Sequence, residues 1–353
     1  MSGLLKPYKI DKKKLTDLFD ELCKQYRVIA PVRDGKKILY EEVRSGKDAM
    51  LGREALLHFT NSQKSPKELF FPQCDCLFSY EGKGSDLKLK EPEAPGKKTV
   101  IFGMRPCDAR SVEMLDKVFL QEGREDLNYK RRRDNTIILT IGCTKPGPTC
   151  FCTSMNGGPF SVEGGDAIFT DIGDSFVVEA HTIKGKDLLG EQLSVEADDE
   201  SLKKAAEIRL KASDLITSKV NAKHASEKDM LELFKSPVWD TVHEKCLGCG
   251  VCTFFCPTCS CFDVVDEQTA TGGDRIRIWD PCTFPLYTKQ ASGFNPRPTG
   301  KERIRQRMLH KIKYTTTSYG EMSCVGCGRC VLNCPVNLDI RQVINTLAGG
   351  TGV

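Results

Sequence analysis

Two cysteine runs near the C-terminal end of this 353-residue chain constrain its fold more than any other feature. Each run has four cysteines in the spacing C-x2-C-x2-C-x3-C and is followed directly by a proline. The runs are Cys246, Cys249, Cys252 and Cys256 before Pro257, and Cys324, Cys327, Cys330 and Cys334 before Pro335. This is the spacing of [4Fe–4S] ferredoxins, in which three thiolates of one tight loop bind three corners of a cubane. Structural zinc sites instead draw their ligands from separated C-x2-C pairs.

The fourth cysteine of each run is predicted to bind the other cluster, as it does in two-cluster ferredoxins. The predicted ligand sets are therefore Cys246, Cys249, Cys252 and Cys334 for one cubane, and Cys324, Cys327, Cys330 and Cys256 for the other. Crossed ligation of this kind holds two cubanes close enough for rapid electron exchange. We therefore expect an iron–sulfur electron-transfer protein.

The connection between the two runs limits the kind of two-cluster domain. Residues 257–323 intervene, and they contain the helical stretch GKERIRQRMLHKI, whereas small two-cluster ferredoxins use a short connection. We predict a helix-rich domain with two clusters over residues 223–353, preceded by a polar linker at 221–228.

Residues 1–222 are predicted to form a mixed α/β domain that supplies a partner-docking surface. Residues 11–26 have the apolar periodicity of an amphipathic helix, and RVIAPV and KILYEEV flank a turn as in a β-hairpin. Further strands are predicted at 99–103, 136–141 and 175–180, with a tight RPCDA turn and helices near 111–120 and 202–216. The chain as a whole is thus predicted to be α+β.

Several other cysteines are candidate ligands. Four lie at predicted strand ends or in Gly/Pro-rich loops, namely Cys107, Cys143, Cys150 and Cys152. Four such positions suffice for a third [4Fe–4S] cluster, which we favour over metal-free thiols, although their spacing is irregular. Cys74 and Cys76 are alternative or additional ligands, and Cys259, Cys261 and Cys282 are either extra ligands or structural thiols.

A basic stretch lies between the two runs and comprises Arg303, Arg305, Arg307, His310 and Lys311. Such a stretch either compensates the negative charge of a cluster, docks an acidic partner or forms a solvated helix face. We favour charge compensation.

Composition excludes several classes of function. The chain has 18 cysteines but no apolar signal-peptide stretch at its start, which indicates a reducing cytoplasm and metal ligation rather than disulfides. Its apolar runs are of strand length, so no membrane span is expected, and a net charge of +4 does not indicate a nucleic-acid partner. G-x-G-x-x-G after a strand, P-loop, H-E-x-x-H and C-x-x-C-H motifs are absent, so we expect no substrate, flavin or nicotinamide site in this chain.

Several strings resemble one family, namely RPCDA, PTCFC, CPTCSCFDV, ASGFNPRP, RIRQRMLHKIKY and CVGCGRCVLNCPV. From about residue 100 the chain resembles the 4Fe–4S dicluster subunits of three kinds of complex: archaeal cytoplasmic sulfhydrogenase, where it is the beta subunit, anaerobic sulfite reductase, and flavin oxidoreductases paired with heterodisulfide reductase. The resemblance implies a helical ferredoxin fold in the C-terminal part. It also implies a relay subunit of anaerobic metabolism, which passes electrons between a flavin- and NAD(P)-binding subunit and a catalytic subunit in a hetero-oligomer.

Three hypotheses follow for the function. The first is electron relay without a substrate site in this chain. The second is reduction of a thiol or sulfur substrate by a cluster together with Cys259, Cys261 and Cys282. The third is a regulator in which the clusters are structural or sensory, which the weak net charge and the lack of a DNA-binding motif disfavour.

Overall fold

The computed structural model describes residues 6–50, 61–82, 86–92 and 96–350. Residues 1–5, part of the segment for which no signal peptide is expected, lie outside the described residues. The strands are β1 Tyr8–Asp11, β2 Arg27–Asp34, β3 Lys37–Val43, β4 Cys74–Glu81, β5 Lys88–Lys90, β6 Thr99–Met104, β7 Thr136–Ile141, β8 Ala167–Asp171, β9 Ser175–Ala180, β10 Phe262–Gln268 and β11 Gly272–Trp279. The α-helices are α1 Leu15–Gln25, α2 Pro106–Phe119, α3 Leu127–Asp134, α4 Ile183–Gln192, α5 Asp199–Asp214, α6 Ala222–Glu227, α7 Met230–Lys235, α8 Val238–Lys245, α9 Val251–Phe254, α10 Gly300–Leu309, α11 Thr315–Tyr319, α12 Arg329–Leu332 and α13 Ile340–Leu347.

A mixed sheet forms the centre of the N-terminal half. In the described ranges it has seven strands in the spatial order β1-β9-β8-β7-β6-β2-β3, of which β2, β6, β7 and β8 run parallel. Strands β6 and β7 are buried along their whole length, as expected for the continuous apolar runs TVIFGM and TIILTI. Because parallel strands end at the same edge of a sheet, the residues that follow β6 and β7 lie side by side there.

Helices cover both faces of this sheet. On one face α1 packs its apolar stripe on the sheet, where the rings of Phe19 and Phe102 meet edge to face with centroids 4.8 Å apart. On the other face Val112 and Leu115 of α2 pack against Ile101 and Ile138. The mixed α and β content confirms the α+β prediction.

A second, antiparallel sheet joins distant parts of the chain. Its described strands run in the order β10-β11-β4-β5, so that the hairpin β10–β11 from the connection between the cysteine runs pairs with β4 of the N-terminal half. The connection therefore holds a hairpin as well as the predicted helix, which is α10 and the π-helical turn His310–Tyr314 that continues it. The predicted domain boundary at residue 222 stays a prediction.

The C-terminal helices pack around a second hydrophobic core. Trp239 of α8, Leu309 of α10 and Val343 of α13 are fully buried in it, and Phe151 and Met155 enter it from the N-terminal half. In the part of the chain that the structure describes, no helix is long and apolar enough to cross a bilayer.

Two local predictions are wrong. The RPCDA stretch is not a separate turn, because Arg105 is the N-cap of α2 and Pro106 stands at its first position, where a missing N–H costs nothing. The polar stretch at 221–228 is not a bare linker, because its small side chains Ala222 and Ala225 let α6 pack into the second core.

Candidate metal centres

A cavity beside α8 collects thiols from both cysteine runs. Cys246, Cys249 and Cys252 of the first run line it together with Cys334 of the second run, and most of its other lining side chains are apolar. Cys330 also reaches its wall. We call Cys246, Cys249, Cys252 and Cys334 the first set; it contains the four residues that the crossed-ligation prediction names.

The remaining thiols of the two runs form a second group, which we call the second set: Cys256, Cys324, Cys327 and Cys330. Burial, with an added contribution from the Cys256 thiolate, raises the pKa of the Cys324 thiol to about 11. Burial also raises the pKa of Cys330, where Arg307 opposes the shift and the other three thiols add to it. These mutual effects place Cys256 with the second run rather than with its own.

Three buried cations surround the two sets. Lys67, Arg307 and Lys311 are each at most 3% exposed, and none takes part in an ion pair among the described residues. Arg307 donates to the Cys252 sulfur and, over 3.0 Å, to the Cys252 carbonyl, while Lys67 Nζ donates to the Cys259 carbonyl over 2.9 Å. Because a buried cation without a counter-charge is costly, these three indicate compensating negative charge at the thiols.

The cations also change the protonation of the thiols. A hydrogen bond from Cys259, together with the nearby charges of Lys311 and Arg307, holds the pKa of the Cys256 thiol well below its usual range although the side chain is buried. Burial lowers the pKa of Lys67 to about 8, against the pull of the Cys259 and Cys256 thiolates. Thiolate is the form that binds iron.

The donor set suits [4Fe–4S] clusters. All 18 cysteines are free thiols, and the Nη1 of Arg307 is buried without a hydrogen-bond partner beside them. In the described ranges no three His, Cys, Asp or Glu side chains converge tightly enough to hold a single metal ion. A zinc ion would need such convergence, since its Zn–S bonds are about 2.3 Å long, whereas a cubane is bound by thiols set further apart.

The structure also brings together the four N-terminal candidates, which we call the third set: Cys107, Cys143, Cys150 and Cys152. Cys107 lies in the first turn of α2 and Cys143 lies two residues after β7, so the shared edge of the parallel strands makes them neighbours. Burial and the nearby Cys143 thiol raise the pKa of Cys150 to about 11. Burial and then the Cys150 and Cys143 thiols raise that of Cys152 to about 12, and Cys152 in turn acts on Cys107.

The third set packs directly against the second run. The Phe151 N–H donates to the Gly326 carbonyl over 2.8 Å, and the Cys150 thiol lies 3.7 Å from the Cys327 carbonyl. Gly326 has φ +64°, and a Cβ there would lie 2.6 Å from the backbone of Cys152. Only glycine permits this approach.

A buried ion pair fastens the same contact. Arg329 of α12 donates to both carboxylate oxygens of Asp108 in α2, over 2.5 and 2.7 Å, and its Nε donates to the Ser62 carbonyl over 2.9 Å. Arg329 is 2% exposed and Asp108 is fully buried. The pair holds the second run against the third set.

Some predicted residues lie elsewhere, and some functional ones were missed. On β4, Cys74 is exposed, and the Cys76 sulfur lies 3.8 Å from the Ser79 hydroxyl. Sequence reasoning missed Lys67 and the Arg329–Asp108 pair, because a lone lysine after Pro66 and an Arg inside the second run fit no charge pattern.

The basic stretch divides by helix face. Arg307 and Lys311, four residues apart, point inward at the thiols, which agrees with the expected charge compensation. Arg303 donates to the Pro298 carbonyl over 2.8 Å, and the guanidinium of Arg305 lies 3.6 Å from the ring centroid of Phe234. His310 lines a different cavity.

Comparison with known proteins agrees with this geometry. The family model of the 4Fe–4S dicluster domain matches residues 245–338, which include both cysteine runs. The chain is 33% identical over 346 residues to the sulfhydrogenase 2 subunit beta of Pyrococcus furiosus, and the alignment covers 97% of this chain and 98% of that one. No solved structure matches the chain.

Proposed function

Because the chain belongs to the family of 4Fe–4S dicluster subunits that includes the sulfhydrogenase 2 beta subunit, we propose that it relays electrons within a cytoplasmic multi-subunit oxidoreductase. Its partners in the hetero-oligomer are a flavin- and NAD(P)-binding subunit and a catalytic redox subunit of the hydrogenase type. Sulfite reductase and heterodisulfide reductase types are the alternatives for the catalytic subunit. The observation that carries the proposal is the position of the second set, which contacts the first set on one side and the third set on the other.

The ligands follow from these sets. The first set binds one [4Fe–4S] cluster and the second set binds another, with Cys256 and Cys334 exchanged between the runs. When bound, such a cluster accepts and releases single electrons at a potential that its surroundings set.

The chain's own residues shape those surroundings. Arg307 and Lys311 supply positive charge at the boundary between the two sets, and this charge favours thiolate and the more negative reduced state. Although burial opposes its charged form, the Cys256 and Cys259 thiolates raise the pKa of Lys311, so it stays protonated. Ile304 and Met308 of α10 keep water from the first set.

We assign a third [4Fe–4S] cluster to the third set. Its support is the convergence of four thiols at the carboxyl ends of β6 and β7 and their contact with Cys327. The second set then lies in the middle of a row of three, and the N-terminal half carries electrons as well as docking a partner.

The test uses the complete complex, purified anaerobically with the wild-type chain or with Cys330→Ala. We expect NAD(P)H-driven reduction at the catalytic subunit to fall to background in the variant, because Cys330 belongs to the middle set. The flavin subunit's dye reduction and the catalytic subunit's activity with an artificial donor should be unchanged, and Cys74→Ala should behave as wild type. Transfer that persists after the second cluster is lost would contradict relay through this chain.

A further inference from the structure

Two cysteines outside the three sets form a thiol pair at the open end of a hairpin. Cys261 directly precedes β10, and Cys282 follows β11 by three residues. Pairing of Phe262 with Trp279, and a hydrogen bond over 3.3 Å from the Asp280 N–H to the Cys261 carbonyl, bring the two residues together. The two thiols are hydrogen-bonded to each other.

The pair opens onto a cavity of about 210 Å³ that is separate from the one at the first set. Cys261 lines it, together with the polar groups of Tyr287, His310, Tyr319 and Lys117. Cys282 lies deeper, at 6% exposure. The cavity therefore gives a small molecule access to one sulfur of the pair while the other is held behind it.

The two sulfurs have opposite electrostatic character. The hydrogen bond from Cys282 lowers the pKa of Cys261 to about 6 although the side chain is largely buried, and Lys311 adds to the effect. The same hydrogen bond, with burial, raises the pKa of Cys282. A thiolate at the cavity and a thiol behind it are the nucleophile and the resolving group that disulfide exchange requires.

The pair also lies close to the second set. The Cys282 thiol is near that of Cys259, and Cys259 is hydrogen-bonded to Cys256. Lys311 stands between them, with its Nζ 2.8 Å from the Thr258 hydroxyl. A short path of sulfur atoms thus connects the cavity with the middle of the row.

We propose that Cys261 and Cys282 form a reversible dithiol–disulfide couple that reduces a low-molecular-weight disulfide bound in this cavity. The Cys261 thiolate attacks one sulfur of the disulfide RSSR, forming a mixed disulfide and releasing RS⁻. Cys282 then loses its proton and attacks the Cys261 sulfur, which releases the second RS⁻ and leaves a Cys261–Cys282 disulfide. Two electrons from the reduced clusters and two protons restore the thiols, so the net reaction is RSSR + 2e⁻ + 2H⁺ → 2RSH. The supply of electrons rests on the proposed relay function; the exchange itself does not.

The test uses the full-length, cluster-loaded chain under anaerobic conditions, with oxidised glutathione as the probe. Peptide mapping of the wild type should recover a Cys261–Cys282 disulfide. Cys282→Ala should trap one glutathione on Cys261, Cys261→Ala should trap none, and Cys74→Ala should match the wild type. Recovery of both residues as free thiols in the wild type would overturn the proposal, as would loss of iron from Cys261→Ala, which would make these residues cluster ligands.

A second arm tests the connection to the clusters. Oxidised glutathione added to the dithionite-reduced chain should diminish the EPR signal of the reduced clusters in the wild type but not in Cys261→Ala. A signal that persists equally in both would overturn the coupled couple. Absence of any cluster signal before addition would instead count against the relay function, so the two failures are distinguishable.

Discussion

The Nε of Arg307 donates a hydrogen bond to the Cys252 sulfur over 2.9 Å, so a buried guanidinium rests on a first-set thiol. Although burial opposes its charged form, Cys252 and then Cys330 of the second set raise the pKa of Arg307. One cation therefore acts on both sets. It is the structural element that couples their electrostatics.

Replacing this cation should lower the potentials of both clusters. In Arg307→Gln the reduced, more negative state loses its nearest positive charge, so we expect midpoint potentials to fall by on the order of 60 mV, the equivalent of about 1.4 kcal/mol for one electron. EPR-monitored redox titration measures the shift. Arg305→Gln is the matched control, since Arg305 packs on Phe234 and should leave both potentials unchanged. Equal potentials in Arg307→Gln and wild type would contradict the coupling role.

Double variants test crossed ligation. Cys246→Ala should lose one cluster, or about 4 iron atoms per chain. Adding Cys334→Ala should cost no further iron, because both residues serve the first set. Adding Cys256→Ala instead should cost about 4 more, because Cys256 serves the second set. The reverse pattern, measured as iron per chain, would show that each run binds its own cluster.

Gly326→Ala should separate the third set from the second run. The new Cβ would lie 2.6 Å from the Cys152 backbone, and neither backbone can move without displacing a cysteine. We expect iron loss from both the second and third sets. Gly320→Ala is the control, because Gly320 has a similar φ of +73° with nothing within 4 Å of the new Cβ, so it carries the backbone strain alone. Similar iron contents in the two variants would mean that close approach is unimportant.

Asp108→Ala should destabilise the junction between the two halves. It leaves Arg329 buried without its counter-charge, a change that typically costs about 3–5 kcal/mol. The anaerobic thermal unfolding midpoint should drop clearly. Glu196→Gln, which breaks the exposed pair with Lys6, should leave it nearly unchanged, since such pairs contribute about 0–1 kcal/mol. A midpoint equal to that of Glu196→Gln would argue against a structural role for the Arg329–Asp108 pair.

The parts of the site that were predictable are those that local spacing encodes. Eight cysteines in two regular runs define two loops, and the crossing of Cys256 and Cys334 follows from the ferredoxin spacing rule. The inward face of Arg307 and Lys311 is also local, because residues four apart share one side of a helix.

The remaining parts depend on tertiary structure. Cys107 and Cys143 are 36 positions apart, and only the parallel pairing of β6 with β7 makes them neighbours. The hairpin β10–β11 was missed because its polar stretch DEQTATGGDR lacks a strand-like apolar pattern, and pairing with β4 stabilises it. Lys67 reaches the thiols from a short 3-10 helix whose position the sequence does not reveal.

The most direct test of the central claim is the amount of iron, acid-labile sulfide and zinc per chain in anaerobically purified protein. We predict about 12 iron and 12 sulfide atoms, four of each for every cluster, with negligible zinc. A value near 8 would remove the metal from the third set and leave the N-terminal half as a docking scaffold. Little iron together with stoichiometric zinc would contradict the assignment of this chain as an iron–sulfur electron relay.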